Sequence, residues 1–370
     1  MHLLLAPDKF KGCLSAAEVC AAMESGARRA LAGVEIDACP LADGGEGTVD
    51  ALVIATGGRF VNRRVTGPLP DMKVDAKFGI LGDGQTAVIE MAAASGLALL
   101  KPDELDPMRT TTFGTGELLM AAMEMGVSRI ILGIGGSATI DCGVGCAQAC
   151  GLPVILEGGE PISASEPLVG AYVRRVVLIK HGRGSPIEKV KIQVACDVTN
   201  PLFGKTGAAE VYGPQKGATA GQIRELDADL MNLARRNDKL VEANLPGAGA
   251  AGGLGFGMVA FFEAELRRGI EIIMDAVGFD RRIAGADLCL TGEGRLDHSS
   301  MHGKTVAGVA RACRAANVRC IAIAGSVERN VDYGFETVGI EDENISKEES
   351  MRNAPELIAA AAEGIVRNRI

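Results

Sequence analysis

The stretch RIILGIGGSATIDC, residues 129–142, predicts a strand that runs into a glycine-rich turn. Its apolar run at 130–132 is bounded by glycine, which is typical of a buried strand in a parallel sheet. Small residues after the turn favour a helix, whose free N–H groups and positive dipole end attract anions. Ser137 and Thr139 add hydroxyl donors, and Asp141 adds a carboxylate suited to a metal. The turn therefore predicts either an anion site or a tight strand-to-helix corner without a ligand.

The composition is that of a globular chain with two domains. Its 370 residues exceed the roughly 250–300 at which a single core stops growing. Hydrophobic residues make up 47% and charged residues 23%, which excludes a disordered chain. The net charge of −9 argues against nucleic acid or an anionic membrane as a partner. Because no apolar run reaches the roughly 18 residues of a membrane span, and the N-terminal apolar run is too short for a signal peptide, we expect a cytoplasmic protein.

The ten cysteines lie mostly in apolar or alanine-rich segments, which predicts free thiols packed in the core. Cys142, Cys146 and Cys150 are spaced by four residues, so a helix would present them on one face, where they could bind a metal. No C-x-x-C or histidine pair completes such a site in the sequence. Core packing is therefore the favoured interpretation, in line with the usual burial of cysteine.

The N-terminal segment predicts a parallel sheet. A strand at 2–6 precedes a helix that begins after Ser15, where Glu18 three residues on completes a capping box. A second strand at 35–39 and a helix at 49–55 follow. This strand–helix–strand–helix order is typical of parallel sheets, which bind ligands at the carboxyl ends of their strands.

Two polar loops follow these strands. The first carries Asp8, Lys9 and Lys11, and the second carries Asp43 and Glu46. Taken together they indicate a ligand site at the strand ends, whereas either loop alone is interpreted more simply as solvated.

The middle of the chain changes pattern. Alternating, β-rich segments at 60–66, 73–79 and 86–90 predict an antiparallel meander that opens a second domain. Residues 152–190 show little periodicity and are interpreted as a variable flap. The remaining predicted elements are helices at 117–125, 219–241, 258–266 and 302–315, and strands at 192–196, 287–291 and 319–324.

The stretch PGAGAAGGLGFG, residues 246–257, is the most glycine-dense part of the chain. It is interpreted either as backbone wrapped around a ligand or as a hinge or close helix crossing. The simplest architecture is an α/β fold built on a discontinuous Rossmann- or flavodoxin-like domain. Residues 1–58 and 280–370 form its doubly wound parallel sheet, and a mixed α/β domain is inserted at 59–279.

Ten motifs in a fixed order carry a resemblance to a known family. The chain contains APDKFKG, LADGGEGTV, VIEMAAASGL, TTTFGTGEL, GIGGSAT, ACDVTNPL, GPQKGA, PGAGAAGGLG, TGEGRLD and HGK. This set resembles the bacterial type I glycerate kinase family across residues 1–330. The resemblance implies transfer of the ATP γ-phosphate to D-glycerate, usually giving 2-phosphoglycerate, with Mg²⁺ as the metal. It also implies a two-domain α/β fold with a ligand cleft between the domains.

Three residues depart from the family pattern, and alternatives stay open. Lys9 stands where the family more commonly has serine. Where the family typically reads GGSATNDGGAG, this chain has Ile140 in place of asparagine and Cys142 in place of glycine. The nearest alternatives are a kinase that forms 3-phosphoglycerate and a homologue that binds glycerate or nucleotide without turnover. An NAD(P)-dependent oxidoreductase is disfavoured, because the G-x-G-x-x-G fingerprint and its acidic residue are missing. We expect ATP and D-glycerate as partners, no nucleic acid and no membrane, and a homodimer stays open.

Phosphoryl transfer requires cations at the moving phosphate, in-line positioning and a metal. Asp197, at a predicted strand end, is the expected base for the glycerate hydroxyl, and Lys11 and Lys216 are the expected catalytic cations. Asp43 and Glu293 are the expected Mg²⁺ ligands, because Mg²⁺ takes one or two carboxylates together with phosphate oxygens and water.

Substrate and nucleotide contacts complete the predicted site. Arg295 offers a bidentate fork to the glycerate carboxylate. The expected substrate-binding residues are Arg295, Asp43, Lys304 and Ser137. The glycines expected to bind the nucleotide are Gly135, Gly136, Gly249, Gly252 and Gly253.

Overall fold

The computed structural model describes residues 1–159, 166–180, 186–301, 305–341 and 346–368. In chain order, its strands are β1 (His2–Leu5), β2 (Glu35–Ala38), β3 (Arg59–Thr66), β4 (Lys73–Ile80), β5 (Thr86–Glu90), β6 (Arg129–Gly133), β7 (Val154–Leu156), β8 (Val176–Ile179), β9 (Lys191–Ala195), β10 (Glu265–Arg267), β11 (Leu288–Leu296), β12 (Arg319–Val327) and β13 (Glu336–Gly339). Its α-helices are α1 (Ala16–Ala30), α2 (Thr48–Thr56), α3 (Ala92–Ser95), α4 (Phe113–Glu124), α5 (Val144–Ala149), α6 (Ala208–Tyr212), α7 (Ala220–Arg236), α8 (Leu240–Ala243), α9 (Ala250–Phe262), α10 (Gly269–Val277), α11 (Phe279–Ile283), α12 (Thr305–Ala315), α13 (Lys347–Arg352) and α14 (Ala354–Arg367). Among these described helices, none combines the length and apolarity needed to cross a membrane.

One compact unit consists of Met1–Asp43, Asp50–Gly58 and Ile270–Ile370. Its described strands form a parallel sheet in the order β13-β12-β11-β1-β2. The parallel pairing of β1 and β2 around α1, predicted from the N-terminal segment, is confirmed. The unit includes residues 270–279, which precede the predicted domain junction at 280.

Helices cover both faces of this parallel sheet. Alternate residues of a strand point to opposite faces. Leu3 of β1 and Leu290 of β11 therefore share one face, where they pack in a core with Ile358 of α14. Ala322 of β12 points to the other face and packs with Val306 of α12. This arrangement is the doubly wound sheet that the sequence predicts.

Capping boxes mark the starts of two helices, and the first is the box that the sequence predicts at Ser15 and Glu18. The Ser15 Oγ accepts the N–H of Glu18 at 3.3 Å, and the Glu18 carboxylate accepts the Ser15 N–H at 2.8 Å. Thr219 and Gln222 form the same reciprocal pair at the start of α7. Each box satisfies N–H groups that have no partner inside the helix.

The other compact unit consists of Gly44–Val49 and Arg59–Gly269. Its main sheet has the order β10-β9-β6-β5-β4-β3. Strands β3, β4 and β5 pair antiparallel, which confirms the predicted meander. Strands β5, β6, β9 and β10 pair parallel, with α4 as the crossover between β5 and β6. The strand predicted at 130–132 is the buried centre of β6.

Two helix predictions are wrong in extent. The helix predicted at 258–266 belongs to α9, which ends at Phe262 because Glu263 adopts a left-handed φ of 53°. Ala251, Gly252 and Gly253 are also left-handed, so the regular part of α9 begins after this kink, still earlier than predicted. The residues after Glu263 instead form β10, which pairs with β9. Helix α7 ends at Arg236 and not at 241, just before Asp238, which is also left-handed with a φ of 55°.

Two other segments contain more strand than the sequence predicts. The predicted flap at 152–190 includes the antiparallel pair β7 and β8 in its described part. The strand predicted at 287–291 extends to Leu296, where it still pairs with Val327 of β12. The glycines of TGEGRL favour a loop, so the sequence predicts that the strand ends before them. Pairing with the neighbouring strand β12 overrides this local preference against a strand.

Helices α1 and α14 meet at a glycine. A Cβ atom on Gly26 would lie 1.9 Å from the carbonyl oxygen of Ala359, which leaves no room for a side chain. The backbones of the two helices are therefore in contact on this face of the parallel sheet, and the core beneath them depends on that close approach.

We expect Gly26→Ala to lower the free energy of unfolding by about 1–3 kcal/mol, because an added methyl group forces the helices apart. Gly364→Ala, on the exposed side of α14, is the matched control. Nothing lies within 4 Å of its added Cβ, and the change from glycine to alanine in a helix should stabilise by about 0.5–1 kcal/mol. Urea unfolding followed by circular dichroism measures both. Effects of equal sign would contradict the packing account.

Candidate functional site

The carboxyl ends of the parallel sheet carry acidic side chains. Asp8 follows β1, Asp43 follows β2, and Glu293 lies in the last part of β11. Strand β1 is hydrogen-bonded between the other two strands, so all three side chains belong to the same edge of this sheet. The Asp8 N–H donates to the carbonyl of Gly292 at 2.8 Å, which fixes the loop after β1 against β11. This edge holds both carboxylates predicted to bind Mg²⁺, together with a third.

Asp8 is buried, with 7% of its surface exposed. Burial, followed by the nearby charge of Asp43, raises the pKa of Asp8 to about 6, while hydrogen bonds from the Thr305 hydroxyl and the Lys9 N–H oppose the shift. The sequence places Asp8 in a polar loop but gives it no role. Its burial, which the sequence does not reveal, makes it a candidate site residue.

Two of the predicted cations of this unit, Lys11 and Arg295, are exposed to solvent. Lys11 lies in the turn after β1, and its backbone nitrogen is 3.3 Å from the position of a Cβ on Gly294. The Arg295 side chain is 70% exposed, and its Nε lies 3.4 Å from Asp297 Oδ2. Lys304 lies outside the described residues. Lys11 and Arg295 are therefore accessible to an anionic ligand.

In the other unit, the structure joins two predicted site residues directly. Lys216 is only 2% exposed, and its Nζ donates to the Ser137 Oγ and to the Thr139 carbonyl, each at 2.7 Å. Burial lowers the pKa of Lys216 to about 7, and the charge of Asp141 acts in the opposite direction. Lys216 thus holds the turn that follows β6.

Asp141 holds the same turn through a second set of hydrogen bonds. Its carboxylate accepts the N–H and the hydroxyl of Thr112, both at 2.7 Å, and the N–H of Gly143 at 3.1 Å. Burial raises the pKa of Asp141, and the bonds from Thr112 oppose this. The Thr112 Oγ1 also accepts the Cys146 N–H at 2.9 Å, which ties α5 to the network. Sequence reasoning missed Thr112, whose only signal was its place in the TTTFGT motif.

Two of the departures from the family pattern, at residues 140 and 142, lie in the core of this unit. Ile140 and Cys142 are fully buried, and both belong to its main hydrophobic core. Cys142 has a left-handed φ of 57°, a conformation that glycine adopts without steric cost. Its N–H donates to the Gly252 carbonyl at 3.1 Å. Neither side chain reaches a surface at which a ligand could contact it.

Three of the predicted nucleotide glycines face protein backbone. A Cβ on Gly252 would lie 1.9 Å from the Thr139 carbonyl, and its φ of +67° is left-handed. A Cβ on Gly249 would lie 2.2 Å from the Pro201 carbonyl, and one on Gly253 would lie 2.8 Å from the Leu202 side chain and 3.2 Å from the Cys142 Cα. All three glycines are buried, so close contact within the protein accounts for their lack of a side chain.

Asp197 and the two remaining glycines follow adjacent parallel strands. Gly135 and Gly136 come after β6 and are exposed, and Asp197 comes after β9 and is also exposed. Because β6 and β9 pair in parallel, these residues lie at the same edge of the mixed sheet. The Asp197 Oδ1 accepts the N–H of Gly269 at 3.0 Å, which orients the carboxylate.

The cysteines spaced by four residues are buried free thiols, as core packing predicts. Within the described part of the chain, the side chains grouped closely enough to share a metal are three other cysteines, Cys289, Cys313 and Cys320.

Polar and acidic side chains at the carboxyl ends of parallel strands are typical of α/β enzymes that act on small molecules. The chain matches the profile of the glycerate kinase family over residues 3–369, and it belongs to that family.

Individual relatives cover most of the chain. A glycerate kinase from Bacillus subtilis (strain 168) is 47% identical over 89% of this chain and 86% of its own length. A glycerate 2-kinase from Escherichia coli (strain K12) is 45% identical over 90% of this chain and 87% of its own. A crystal structure assigned as glycerate kinase 2 from Salmonella typhimurium LT2 superposes with a TM-score of 0.89. It is 42% identical and covers 100% of this chain and 98% of its own.

We expect Asp8→Asn to raise the melting temperature at pH 8 in the presence of EDTA. Because the folded pKa of Asp8 is raised from 3.8 to about 6, the folded state binds this proton more tightly than the unfolded state does. The free energy of unfolding therefore falls as pH rises from about 4 to 6 and stays lower above that range. At about 1.4 kcal/mol per tenfold change in proton affinity, the gain in the variant is at most about 3 kcal/mol, and it vanishes near pH 4.

Asp83→Asn is the control of opposite sign. Although burial opposes the shift, hydrogen bonds from Thr86 and Gln85 lower the pKa of Asp83, so its charge stabilises the fold above its ordinary pKa. This variant should melt below the wild type at pH 8 and approach it in acid. Thermal unfolding across pH 4–8 measures both, and a pH-independent loss in Asp8→Asn would refute the account of its burial.

Proposed function

We propose that this protein is an ATP-dependent glycerate kinase that phosphorylates the 2-hydroxyl of D-glycerate and forms 2-phosphoglycerate. The observation that carries the proposal is the identity of 45%, over 90% of the chain, with a glycerate 2-kinase. Membership of the glycerate kinase family supports ATP as the phosphate donor. The acidic and cationic side chains at the strand ends supply the groups that phosphoryl transfer requires.

Mg²⁺ is proposed to bind at the carboxyl edge of the parallel sheet. Asp43, Glu293 and the buried Asp8 are hard oxygen ligands, which Mg²⁺ prefers. The raised pKa of Asp8 beside Asp43 marks a place where negative charge lacks full compensation, so these residues fit a cation. When bound, Mg²⁺ would neutralise charge on the phosphates of ATP. The residues themselves would orient it through the fixed loop after β1.

Asp197 is proposed as the general base. Its carboxylate is exposed, and the Gly269 N–H holds it at the end of β9, where a glycerate hydroxyl could reach it from solvent. Lys11 is proposed to neutralise the transferred phosphate from the turn after β1. Arg295 and Lys304 are proposed to bind the glycerate carboxylate, with Arg295 as a bidentate fork.

The turn after β6 is proposed to contact phosphate through Gly135 and Gly136. Both glycines are exposed, whereas Ser137 and Lys216 beside them are buried and bonded to each other. Lys216 would then act by keeping the turn in shape, as a positioning residue. The buried side of this turn would be supported by Gly249, Gly252 and Gly253, since Gly252 packs on Thr139. The list of proposed residues at this turn is Gly135, Gly136, Ser137, Lys216, Gly249, Gly252 and Gly253.

A ligand cleft between two domains and a homodimer both stay predictions. A crystal structure with a non-hydrolysable ATP analogue and D-glycerate would test the cleft, and light scattering after gel filtration would test the dimer. A catalytically inactive homologue is the remaining alternative, but the burial of Ile140 and Cys142 gives no reason for lost turnover.

We expect purified protein to release ADP only when ATP, Mg²⁺ and D-glycerate are all present. A coupled assay measures ADP, and phosphorus NMR of the product distinguishes the 2-phosphate from the 3-phosphate. The NMR signal of 3-phosphoglycerate alone would overturn the proposed position of transfer. No ADP at any Mg²⁺ concentration would overturn the kinase assignment.

We expect Asp197→Asn to lower kcat by about 10²–10⁴, because the amide keeps the shape of the side chain but cannot accept the hydroxyl proton. Melting temperature should change little, since the carboxylate is exposed. Steady-state kinetics on the folded variant measure the effect. A loss of activity that follows only a loss of folded protein would remove Asp197 from the proposed chemistry.

We expect Arg295→Lys to raise the KM for glycerate more than it lowers kcat, because a point charge replaces a planar fork. Arg28→Lys on α1 is the matched control, since Arg28 pairs with Glu24 at the surface, at 2.8 Å. That control should leave both constants near wild type. An unchanged KM in Arg295→Lys would exclude the proposed carboxylate contact.

A further inference from the structure

Three cysteine sulfurs meet beneath helix α12. Cys289 of β11, Cys320 of β12 and Cys313 of α12 place their sulfur atoms within 4.8 Å of one another. All three residues are buried, with 0%, 8% and 0% of their surfaces exposed, respectively. We call these three residues the thiol cluster.

The fold explains why these sulfurs meet. Cys289 and Cys320 are register partners on adjacent parallel strands, so their side chains point to the same face of the sheet. Leu288 and Leu290 point to the opposite face, toward α1 and α14. Cys313 lies on the buried face of α12, which covers the two strand cysteines. Strand pairing and helix packing therefore both fix the arrangement.

The thiol cluster has the size and chemistry of a three-coordinate site. With bonds of about 2.3 Å, as in zinc thiolates, a planar three-coordinate ion would separate the sulfurs by about 4.0 Å. Trivalent arsenic carries a lone pair and is pyramidal, so it would draw the three sulfurs closer together than a planar ion does. Side-chain rotations of the three cysteines would supply that approach. Within the described residues, no histidine or carboxylate belongs to this group, and an all-sulfur set selects soft ions.

We propose that the thiol cluster is a binding site for a soft, three-coordinate ion, and that trivalent arsenic is the form which burial favours. Arsenite, As(OH)₃, would exchange three As–O bonds for three As–S bonds, with the three thiol protons leaving as water and no change of oxidation state. The product is neutral. A complex of Cu(I) with three thiolates would instead leave two negative charges in the interior, where uncompensated charge is costly.

The site is separate from the proposed kinase chemistry. Cys289 lies four residues before Glu293 on β11, which corresponds to about 13 Å along a strand. The cluster therefore lies toward the amino ends of these strands, away from the acidic edge. A bound ion would link β11, β12 and α12. Helix α12 begins at Thr305, whose hydroxyl bonds to Asp8, so occupancy would stiffen the support of that edge.

The test is titration of the reduced, full-length protein with sodium arsenite under anaerobic conditions. We expect one arsenic per chain by elemental analysis after gel filtration, and three fewer free thiols per chain in a thiol assay. X-ray absorption should find three sulfur neighbours around the arsenic. Fewer than three sulfur neighbours, or no stoichiometric binding, would overturn the proposal without requiring any variant to fold.

Variants then identify the ligands. Cys313→Ser and Cys289→Ser should each lose the three-sulfur arsenic species. Cys20→Ser is the matched control, because Cys20 is a buried thiol of the same unit outside the cluster, and it should retain full binding. Wild-type binding in Cys313→Ser would overturn the site. Tighter binding of Cu(I), supplied as its bicinchoninate complex, than of arsenite would overturn the preference for trivalent arsenic.

Discussion

The buried ammonium group of Lys216 is the interaction on which the charged turn of the mixed sheet depends. A lysine in the interior loses its hydration, and only well-placed acceptors can offset that cost. Here the acceptors are the Ser137 hydroxyl and the Thr139 carbonyl, which lie 79 and 77 residues away in the chain. One side chain therefore joins the GPQKGA motif to the turn after β6, and this contact fixes where Gly135 and Gly136 emerge.

Asp141 adds a second constraint on the same turn. Its carboxylate is satisfied by N–H and hydroxyl donors of Thr112 and Gly143, so its charge is used within the protein. Together the lysine and the aspartate hold one short loop by charge-assisted hydrogen bonds at both ends. A loop held in this way keeps its shape when a ligand binds, which lowers the entropic cost of recognition.

At the acidic edge of the parallel sheet, by contrast, a buried charge lacks compensation. Asp8 is buried beside a second carboxylate, and its raised pKa means that its charge weakens the fold near neutral pH. Such an arrangement is typical of sites in which stability is given up for binding. A bound cation would remove the conflict, because it would compensate both carboxylates at once.

The sequence by itself determined much of the local structure and the family. A capping box predicted the start of α1, alternation predicted the β3–β4–β5 meander, and the order of strands and helices predicted the parallel sheet. These features depend on residues close together in the chain, so their spacing can be recognised in the sequence alone. The ten motifs likewise indicated the family, because their order along the chain is a property of the sequence.

Only the tertiary structure decided burial and the partners of charged groups. It extended β11 through a glycine-rich segment by pairing it with β12, and it ended α9 before a strand that the pattern had assigned to the helix. It placed Gly252 against a backbone carbonyl and bonded Lys216 to a serine hydroxyl. It also brought Cys313 next to two further thiols. Each of these outcomes depends on contacts between residues far apart in the chain, and such contacts leave no periodicity in the sequence.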